Sequence, residues 1–431
     1  MIGSSDWGSE RTNDRRRRWR AIPNHSQGET GSRAVTPGTL LFSAILTLLI
    51  AIPVMATDAV FVAVPAIRDT FSADPGEVQV AMTSYVLAFA VVQLIYGPLS
   101  DRHGRRKVLL FALTAFVIGS IMCAMATSLS WLVVARALQG LGSGSGPTLA
   151  RAILRDRHGA ESSIRILSYI MAVFGVIAVV APIVGGLLVE SIGWRSVFIF
   201  GALYGSICVA LVWYRLDETR PAELAAGHGL ARYFRSFAVL ARSRYFMFLA
   251  AANTAIYAAM FAWIAGAMFV LIEGMGQPAD AAGAYYALSI VGFVVGSALG
   301  GKLQIPFTPL QVIGGGIVFF LAASLSGWVF SGIREPLAVV GPGFAMMMGI
   351  GFVVPPATAS GIAPFPEMAG AASALIGFIQ MAASSISVLV VGLIFDGTAT
   401  PMMIMITALG AASLILFLPF LNQLRERMIR R

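Results

Sequence analysis

The sequence predicts an all-α integral membrane protein of twelve transmembrane helices, arranged as two six-helix halves. Three observations carry that expectation. Of the 431 residues, 57% are hydrophobic and only 12% are charged, against about 25% charged in soluble domains. The mean hydropathy is +0.80, which excludes an ordinary soluble enzyme and a disordered chain alike. Apolar runs long enough to span a bilayer, roughly 20 residues, recur along the chain, six before a polar stretch and six after it.

Residues 1–37 are polar, include the run Arg15–Arg18 and show no hydrophobic period. They read as a disordered basic cytoplasmic tail. Residues 38–214 form the first half, with apolar runs near 39–66, 78–99, 106–127, 131–153, 165–189 and 195–214. The first run ends a basic tail and contains Val54-Met55-Ala56, which also matches a signal peptide with its cleavage site. Its apolar character continues to Ile67, too far for such a core, and favours a retained first span. Residues 215–243 read as a central cytoplasmic loop. Residues 244–422 form the second half, with runs near 244–272, 281–303, 308–331, 336–356, 368–395 and 401–421. Residues 423–431 read as a second basic cytoplasmic tail.

The charge pattern sets the orientation. The chain has 30 Lys+Arg and 21 Asp+Glu, a net charge of +9. The bases sit in short loops between apolar runs, so they read as topology and not as a nucleic-acid surface. With the N-terminus in the cytoplasm, 26 bases fall on the cytoplasmic side. Only Arg68, Arg195 and Arg334 fall outside, and Arg136 lies within a span. Basic residues stay on the cytoplasmic side, so both termini are expected there. Cys123 and Cys208 lie in apolar runs, which indicates neither a disulfide framework nor a metal site. The histidines His25, His103, His158 and His228 lack ligand spacing. No G-x-x-x-x-G-K-[ST] loop is present, which argues against ATP hydrolysis.

Two charges interrupt the spans. Asp58 is the one carboxylate well inside a span, and Arg136 is the one such base. Each costs at least ~2.5–3.5 kcal/mol at membrane depth, so a functional role is the default reading. The alternative is a static buried ion pair that fixes helix packing. Asp58 is about eight residues, ~12 Å, from the outer end of its span, and Arg136 about five residues, ~8 Å. Those depths allow the two to pair. A carboxylate whose hydration and neighbouring charge change between states changes its proton affinity, which proton exchange requires.

Several motifs narrow the reading. Gly97-Pro98-Leu99-Ser100-Asp101-Arg102-His103-Gly104-Arg105-Arg106-Lys107 joins the second and third runs with the ordered spacing G-x-L-S-D-R-x-G-R-R. It resembles the signature loop of the major facilitator superfamily. Arg136–Gly142 and Ala150–Asp156 look like the fourth span of proton-driven drug exporters. Ala181-Pro182-Ile183-Val184-Gly185-Gly186 is similar to the antiporter motif G-P-x-x-G-G, with Ala for its first Gly. Ala369–Phe378 resembles the eleventh span of the same group. Together, over about residues 39–422, these resemble the Bcr/CflA branch of drug:proton antiporters. The branch's D-x-Y-L-P pattern is only partly met: Asp58 and Pro65 match, but the Tyr and the first Pro do not. Its substrate range is therefore not carried over unchanged.

The resemblance implies the major facilitator fold and assigns proton coupling to Asp58 and Arg136. It implies a cytoplasmic gate of Gly97, Asp101, Arg102, Gly104, Arg105, Arg106 and Asp156, with Asp101 near the start of the eleventh span at Gly370. From the sequence alone these charges share one membrane face, and a solvated loop cluster remains the other reading. Pro182 with Gly185 and Gly186 is expected to bend the fifth span. Gly140, Gly142, Gly144 and Gly146 either let backbones approach or leave cavity space. Gln93, Gln139, Asn253, Tyr257, Trp263 and Gln380 are candidate cavity residues, a lining suited to an amphipathic organic molecule. The expected protein is not an enzyme. It is a bacterial inner-membrane exporter of small organic substrates, with protons as coupling ion and no cofactor or metal. It acts as a monomer in contact with membrane lipid and binds no nucleic acid. A dedicated metabolite or amino-acid exporter is the alternative. The fifth-span motif disfavours an uptake symporter, and the embedded charges disfavour a non-transporting sensor.

Overall fold

The computed structural model describes residues 37–219, 230–330, 332–333 and 335–429. The expected N-terminal tail and Arg334 lie outside them. A short unit ends at Leu40, and the architecture below is that of the large unit, Leu41–Arg431. The first half contains α1 (Pro37–Phe61), α2 (Val64–Phe71), α3 (Pro75–Gln93), α4 (Tyr96–His103), α5 (Arg105–Ala124), α6 (Leu129–Ser143), α7 (Ser145–Ile192) and α8 (Arg195–Arg215). The second contains α10 (Arg244–Phe269), α11 (Ala279–Leu303), α12 (Pro309–Phe330), α13 (Pro336–Ile362), α14 (Ala369–Ile394) and α15 (Thr400–Ile429). A helix α9 (Leu230–Arg242) precedes α10.

Among the described residues, eleven stretches are long and apolar enough to cross a membrane, and they match every expected span but the fourth. That span is divided. Its α6 part stops at Gly144, and α7 then runs from Ser145 through the expected connecting loop into the fifth span. Close contacts show that α7 doubles back. A β-carbon at Gly146 would lie 2.0 Å from the Leu49 carbonyl oxygen, and one at Gly185 would lie 2.5 Å from that of Ala59. Leu49 and Ala59 are ~15 Å apart along α1, whereas a straight helix would separate Gly146 from Gly185 by ~58 Å. The turn lies beside the start of α1, where the Arg157 guanidinium sits 4.8 Å from the Phe42 ring centre.

Local signals start the helices. Pro75 opens α3 behind a capping box of Asp74 and Glu77, which satisfies otherwise unpaired amides. Ser128 accepts from the Trp131 amide at 3.2 Å to start α6, and Ser243 from the Phe246 amide at 3.3 Å to start α10.

Three expectations are corrected. The stretch 215–243 is not all loop, because α9 occupies its second part. Tyr233, Phe237 and Leu240 recur at helical spacing and pack on Phe246, Ala250 and Ile376. Residues 423–429 continue α15 and are not a separate tail; the stretch is rich in helix formers and has no breaker. The first apolar run is two helices, with Pro65 in the first turn of α2.

The halves meet where α3 packs on α14 and the second limb of α7 packs on α11. The connections carrying Arg105, Arg155 and Lys302 define a basic face; the α2–α3 and α7–α8 turns lie at the opposite face. The two seams are tightest at the opposite face. There a β-carbon at Gly186 would lie 2.5 Å from the Ala279 carbonyl oxygen, and one at Gly392 would lie 2.4 Å from Gln79 Cγ. Toward the basic face the corresponding approaches relax to 3.5 Å at Gly175 and 3.4 Å at Gly377. Only glycine fits these tight crossings without moving a helix.

Candidate functional site

Between the halves lies a cavity of about 200 Å³, lined by nine residues of the first half and nine of the second. Among the described residues Asp58 is its only charged lining residue. It stands on α1, 9% exposed. Thr57 steadies it: the Thr57 hydroxyl lies 2.8 Å from the Pro53 carbonyl and 3.1 Å from Asp58 Oδ1. The wall is otherwise aromatic and thioether. Tyr85, Phe89, Phe174, Tyr257, Phe261, Tyr286 and Phe293 supply rings, and Met260, Met347 and Met381 supply deformable side chains that fit irregular apolar shapes. Tyr85, Tyr257 and Tyr286 line the same cavity as Asp58. Among the described residues the buried Tyr286 hydroxyl has no hydrogen-bond partner.

Arg136 is fully buried on α6. Its Nη1 donates to the Ala56 carbonyl at 3.0 Å and to Gln139 Oε1 at 2.5 Å. Gln139 Nε2 donates in turn to Ser120 Oγ at 2.8 Å, so one polar chain ties α1, α6 and α5. The guanidinium lies 4.2 Å from the Tyr85 ring centre and 5.8 Å from that of Phe198, a cation–π arrangement. The expected Asp58–Arg136 ion pair is not formed. Asp58 lines the cavity and Arg136 is not among its lining residues, so backbone, amide and ring dipoles answer the base in place of a carboxylate.

The six polar or aromatic cavity candidates scatter. Tyr257 lines the central cavity, and Gln93 lines a second one at the basic face. Gln139 is the Arg136 partner. Asn253 Nδ2 donates to Thr358 Oγ1 at 3.0 Å. Trp263 is buried against Gly343, and Gln380 is buried in α14. The rings of Tyr85 and Tyr286, absent from that set, are more central. Nothing in the sequence marks them off from packing aromatics.

At the basic face the charges of the α4–α5 turn converge. Arg105, 3% exposed, pairs with Asp101 at 2.5 Å and with Asp156 on α7 at 3.1 Å. Its Nη1 also donates to Ser100 Oγ at 2.5 Å. Gly104 adopts φ +99°, a conformation that glycine takes at little cost. Glu218 is a partner that sequence reasoning missed. Its carboxylate accepts from the Arg105 amide at 2.8 Å and the Arg106 amide at 3.3 Å, at the positive end of α5. Arg106 Nη2 donates to the Trp213 carbonyl at 2.6 Å, and Arg102 is exposed. Gly97, Asp101, Arg105, Ala369 and Gly370 line the second cavity, of about 360 Å³, so Asp101 and the start of α14 share one space. Tyr233 lines it too; burial pushes its hydroxyl up to about 12, and the Asp101 charge adds to this.

The antiporter-like segment lies between α1 and α11. Gly185 faces Ala59, Gly186 faces Ala279, and the Pro182 carbonyl oxygen would lie 2.4 Å from a β-carbon at Gly283. Ala181 is fully buried beside them, and Pro182 lies inside the second limb of α7. The span-four glycines serve packing: β-carbons at Gly140 and Gly142 would meet the backbones of Tyr85 and Phe116.

The family model described as Major Facilitator Superfamily matches residues 44–388. Multidrug resistance protein D of Escherichia coli K12 is 26% identical over 387 residues, 89% of this chain and 96% of that one. A bicyclomycin resistance protein homolog of Haemophilus influenzae is 26% identical over 388 residues, 88% and 96% of the two chains. The crystal structure of the nucleoside transporter NupG superposes with a TM-score of 0.71 at 13% identity, covering 89% of this chain and 98% of that one.

Proposed function

The chain belongs to the major facilitator superfamily, and from that premise we propose that it exports small, largely apolar organic compounds across a bacterial inner membrane in exchange for protons. The observation that carries this reading is the two-sided aromatic cavity with Asp58 as its single charged wall residue. Apolar surface supplies affinity for an organic substrate, and one titratable group supplies a proton site. Relatives named for multidrug and bicyclomycin resistance support the efflux direction. The Bcr/CflA resemblance supports proton antiport.

The distribution of bases supports a cytoplasmic basic face, and with it both termini. In the proposed cycle substrate enters between the halves from that face, past Gln93 and Gly370, and displaces a proton from Asp58. The halves then reseal behind it through the Arg105 cluster and part on the other side. Asp58 takes a proton there, and the substrate leaves. Arg136 holds α1 through the Ala56 carbonyl and tunes the charge felt at Asp58. No step requires a cofactor, and no residue is assigned a catalytic role.

One observation favours a narrower reading. At about 200 Å³ the cavity is under the ~300 Å³ low end of small-molecule sites, which suits a dedicated exporter of one compact metabolite. A single experiment addresses both. Everted membrane vesicles from a pump-deleted host expressing the chain are energised, and quenching-dye release on adding each of a panel of compounds is followed. Proton release by several unrelated compounds, abolished by an uncoupler, is the expected result. Release by one compound class alone supports the narrower reading, and none across the panel with intact protein in the membrane counts against proton antiport.

A further inference from the structure

We propose that Arg68, Glu273 and Glu190 form a second gate at the face opposite the basic one, holding the two halves together until substrate must leave there. Arg68 lies on α2 of the first half. Its guanidinium pairs with the carboxylate of Glu273, in the π-helical turn Val270–Gly274 that ends the seventh span. Both side chains are partly exposed, 32% and 19%, as a contact that must open to water requires. Glu190, near the end of α7, accepts from the Ala279 amide at 3.1 Å. Ala279 is the first residue of α11 in the other half, so this carboxylate answers both an unpaired amide and the positive helix end.

These two ties cross the seam between the halves. The ion pairs of Arg105 at the basic face do not: Asp101 and Asp156 both belong to the first half. The backbones agree with this asymmetry. The β-carbon approaches at Gly186 and Gly283 are 2.5 and 2.4 Å, beside Glu190 and Ala279. In the captured state, then, the ion pair between halves found among the described residues sits where the seams are closed, and a cavity of about 360 Å³ lies between them at the other end.

Opening the far face requires α2 to part from the seventh span and α7 from the start of α11. That motion breaks the Arg68–Glu273 pair and uncaps α11 together. Both groups regain water when they part, so the latch biases the open–closed ratio without trapping it. Each exposed pair of this kind shifts such a ratio by up to about fivefold.

The test uses the full chain carrying Ile290→Cys, a reporter in the central cavity, and a membrane-impermeant maleimide. The native Cys123 and Cys208 are buried, and labelling of the chain without the reporter sets the background. In right-side-out vesicles Arg68→Glu and Glu273→Arg are each expected to speed labelling about threefold or more, and the double exchange to return it toward the unaltered rate. Glu190→Ala should speed labelling, and Glu190→Gln, whose amide oxygen still accepts from Ala279, should do so less. A merely structural role would not be rescued by exchanging the charges. If a reversal fails to reach the membrane, Arg68→Gln and Glu273→Gln carry the same comparison. Unchanged labelling in the single variants, or no rescue in the exchange, overturns the proposal. The same pattern seen only in everted vesicles overturns the orientation proposed above and upholds the gate.

Discussion

The Arg136 guanidinium lies 4.2 Å from the centre of the Tyr85 ring, and the other face of that residue's environment is the cavity containing Asp58. The two charges embedded in the spans thus share Tyr85 as a neighbour without pairing with each other. Removing a partner from a buried cation leaves an uncompensated charge and is strongly unfavourable. Here the Ala56 carbonyl, Gln139 and the Tyr85 ring share the work of holding it. A shift of α1 against α6 would break the Ala56 contact while Gln139 moves with Arg136 on α6, so Arg136 is placed to sense the movement of the helix that carries Asp58.

Arg136→Lys is therefore expected to be a poor substitute. The guanidinium lies over the ring while donating in plane to two acceptors; an ammonium is a point charge without that fork. Arg136→Lys should lose at least tenfold in transport. Arg136→Ala leaves Gln139 Oε1 and the Ala56 carbonyl without this donor and should cost about 1–3 kcal/mol for each unsatisfied group. Thermal unfolding of the purified protein, together with vesicle transport, measures both. Arg136→Lys with unaltered transport and melting temperature would show that the fork is irrelevant.

Asp58→Asn should leave the fold intact and abolish uphill export. The amide oxygen can still accept from Thr57, and no ion pair is lost because Asp58 has no cation within 4 Å among the described residues. The carboxamide cannot carry a proton. Proteoliposomes bearing an imposed proton gradient should then accumulate no substrate, while substrate exchange without a gradient persists. Accumulation at half the unaltered rate or more would remove Asp58 from proton coupling.

Much of this arrangement was legible in the sequence because membranes make charge conspicuous. Asp58 and Arg136 stand out as costly exceptions within apolar runs, and the Gly97–Lys107 turn stands out by its ordered spacing. Their mutual geometry was not legible. Depth along two helices allows a pair, but only the rotation of each helix decides whether side chains meet, and here Arg136 turns to the Ala56 carbonyl and Gln139. Tyr85 and Tyr286 look like packing aromatics until the cavity is seen. Glu218 reads as one loop acid among several, since its partners, the Arg105 and Arg106 amides, are backbone groups. The α9 helix was hidden because it is too short to span a membrane and Arg232, Arg235 and Arg242 interrupt its apolar residues, although Tyr233, Phe237 and Leu240 already carried a helical period. The fold-back of α7 has no sequence signal of its own.

Two glycines of similar sequence context should behave oppositely. A β-carbon at Gly142 would lie 2.4 Å from the Phe116 amide nitrogen, so Gly142→Ala must push α6 from α5. Overpacking of this kind costs about 1–3 kcal/mol. A β-carbon at Gly315 in α12 would meet nothing within 4 Å, so Gly315→Ala should gain up to about 1 kcal/mol from helix propensity. Unfolding in detergent distinguishes them. Equal effects of the two substitutions would contradict the packing described for span four.

The Arg105 cluster offers the sharpest separation of gate from cavity. Arg105 is held by Asp101, whose side chain is 42% exposed, and by Asp156, whose side chain is 7% exposed. Water competes for the first and not for the second, so the two pairs should differ in strength. Asp156→Asn is expected to slow turnover about tenfold, and Asp101→Asn about two- to threefold, if each lost pair scales with its burial. Neither residue lines the central cavity, so the substrate concentration at half-maximal rate should stay within about twofold, the signature of a lost interaction outside the binding site. Glu218→Gln should resemble Asp101→Asn, since its amide oxygen still accepts from one α5 amide while its charge on the helix end is lost, worth about 0.3–1 kcal/mol. Initial rates over a range of substrate concentrations give both parameters for each variant. Weakened substrate binding with unchanged turnover in Asp156→Asn would place the cluster in substrate recognition and remove it from the gate.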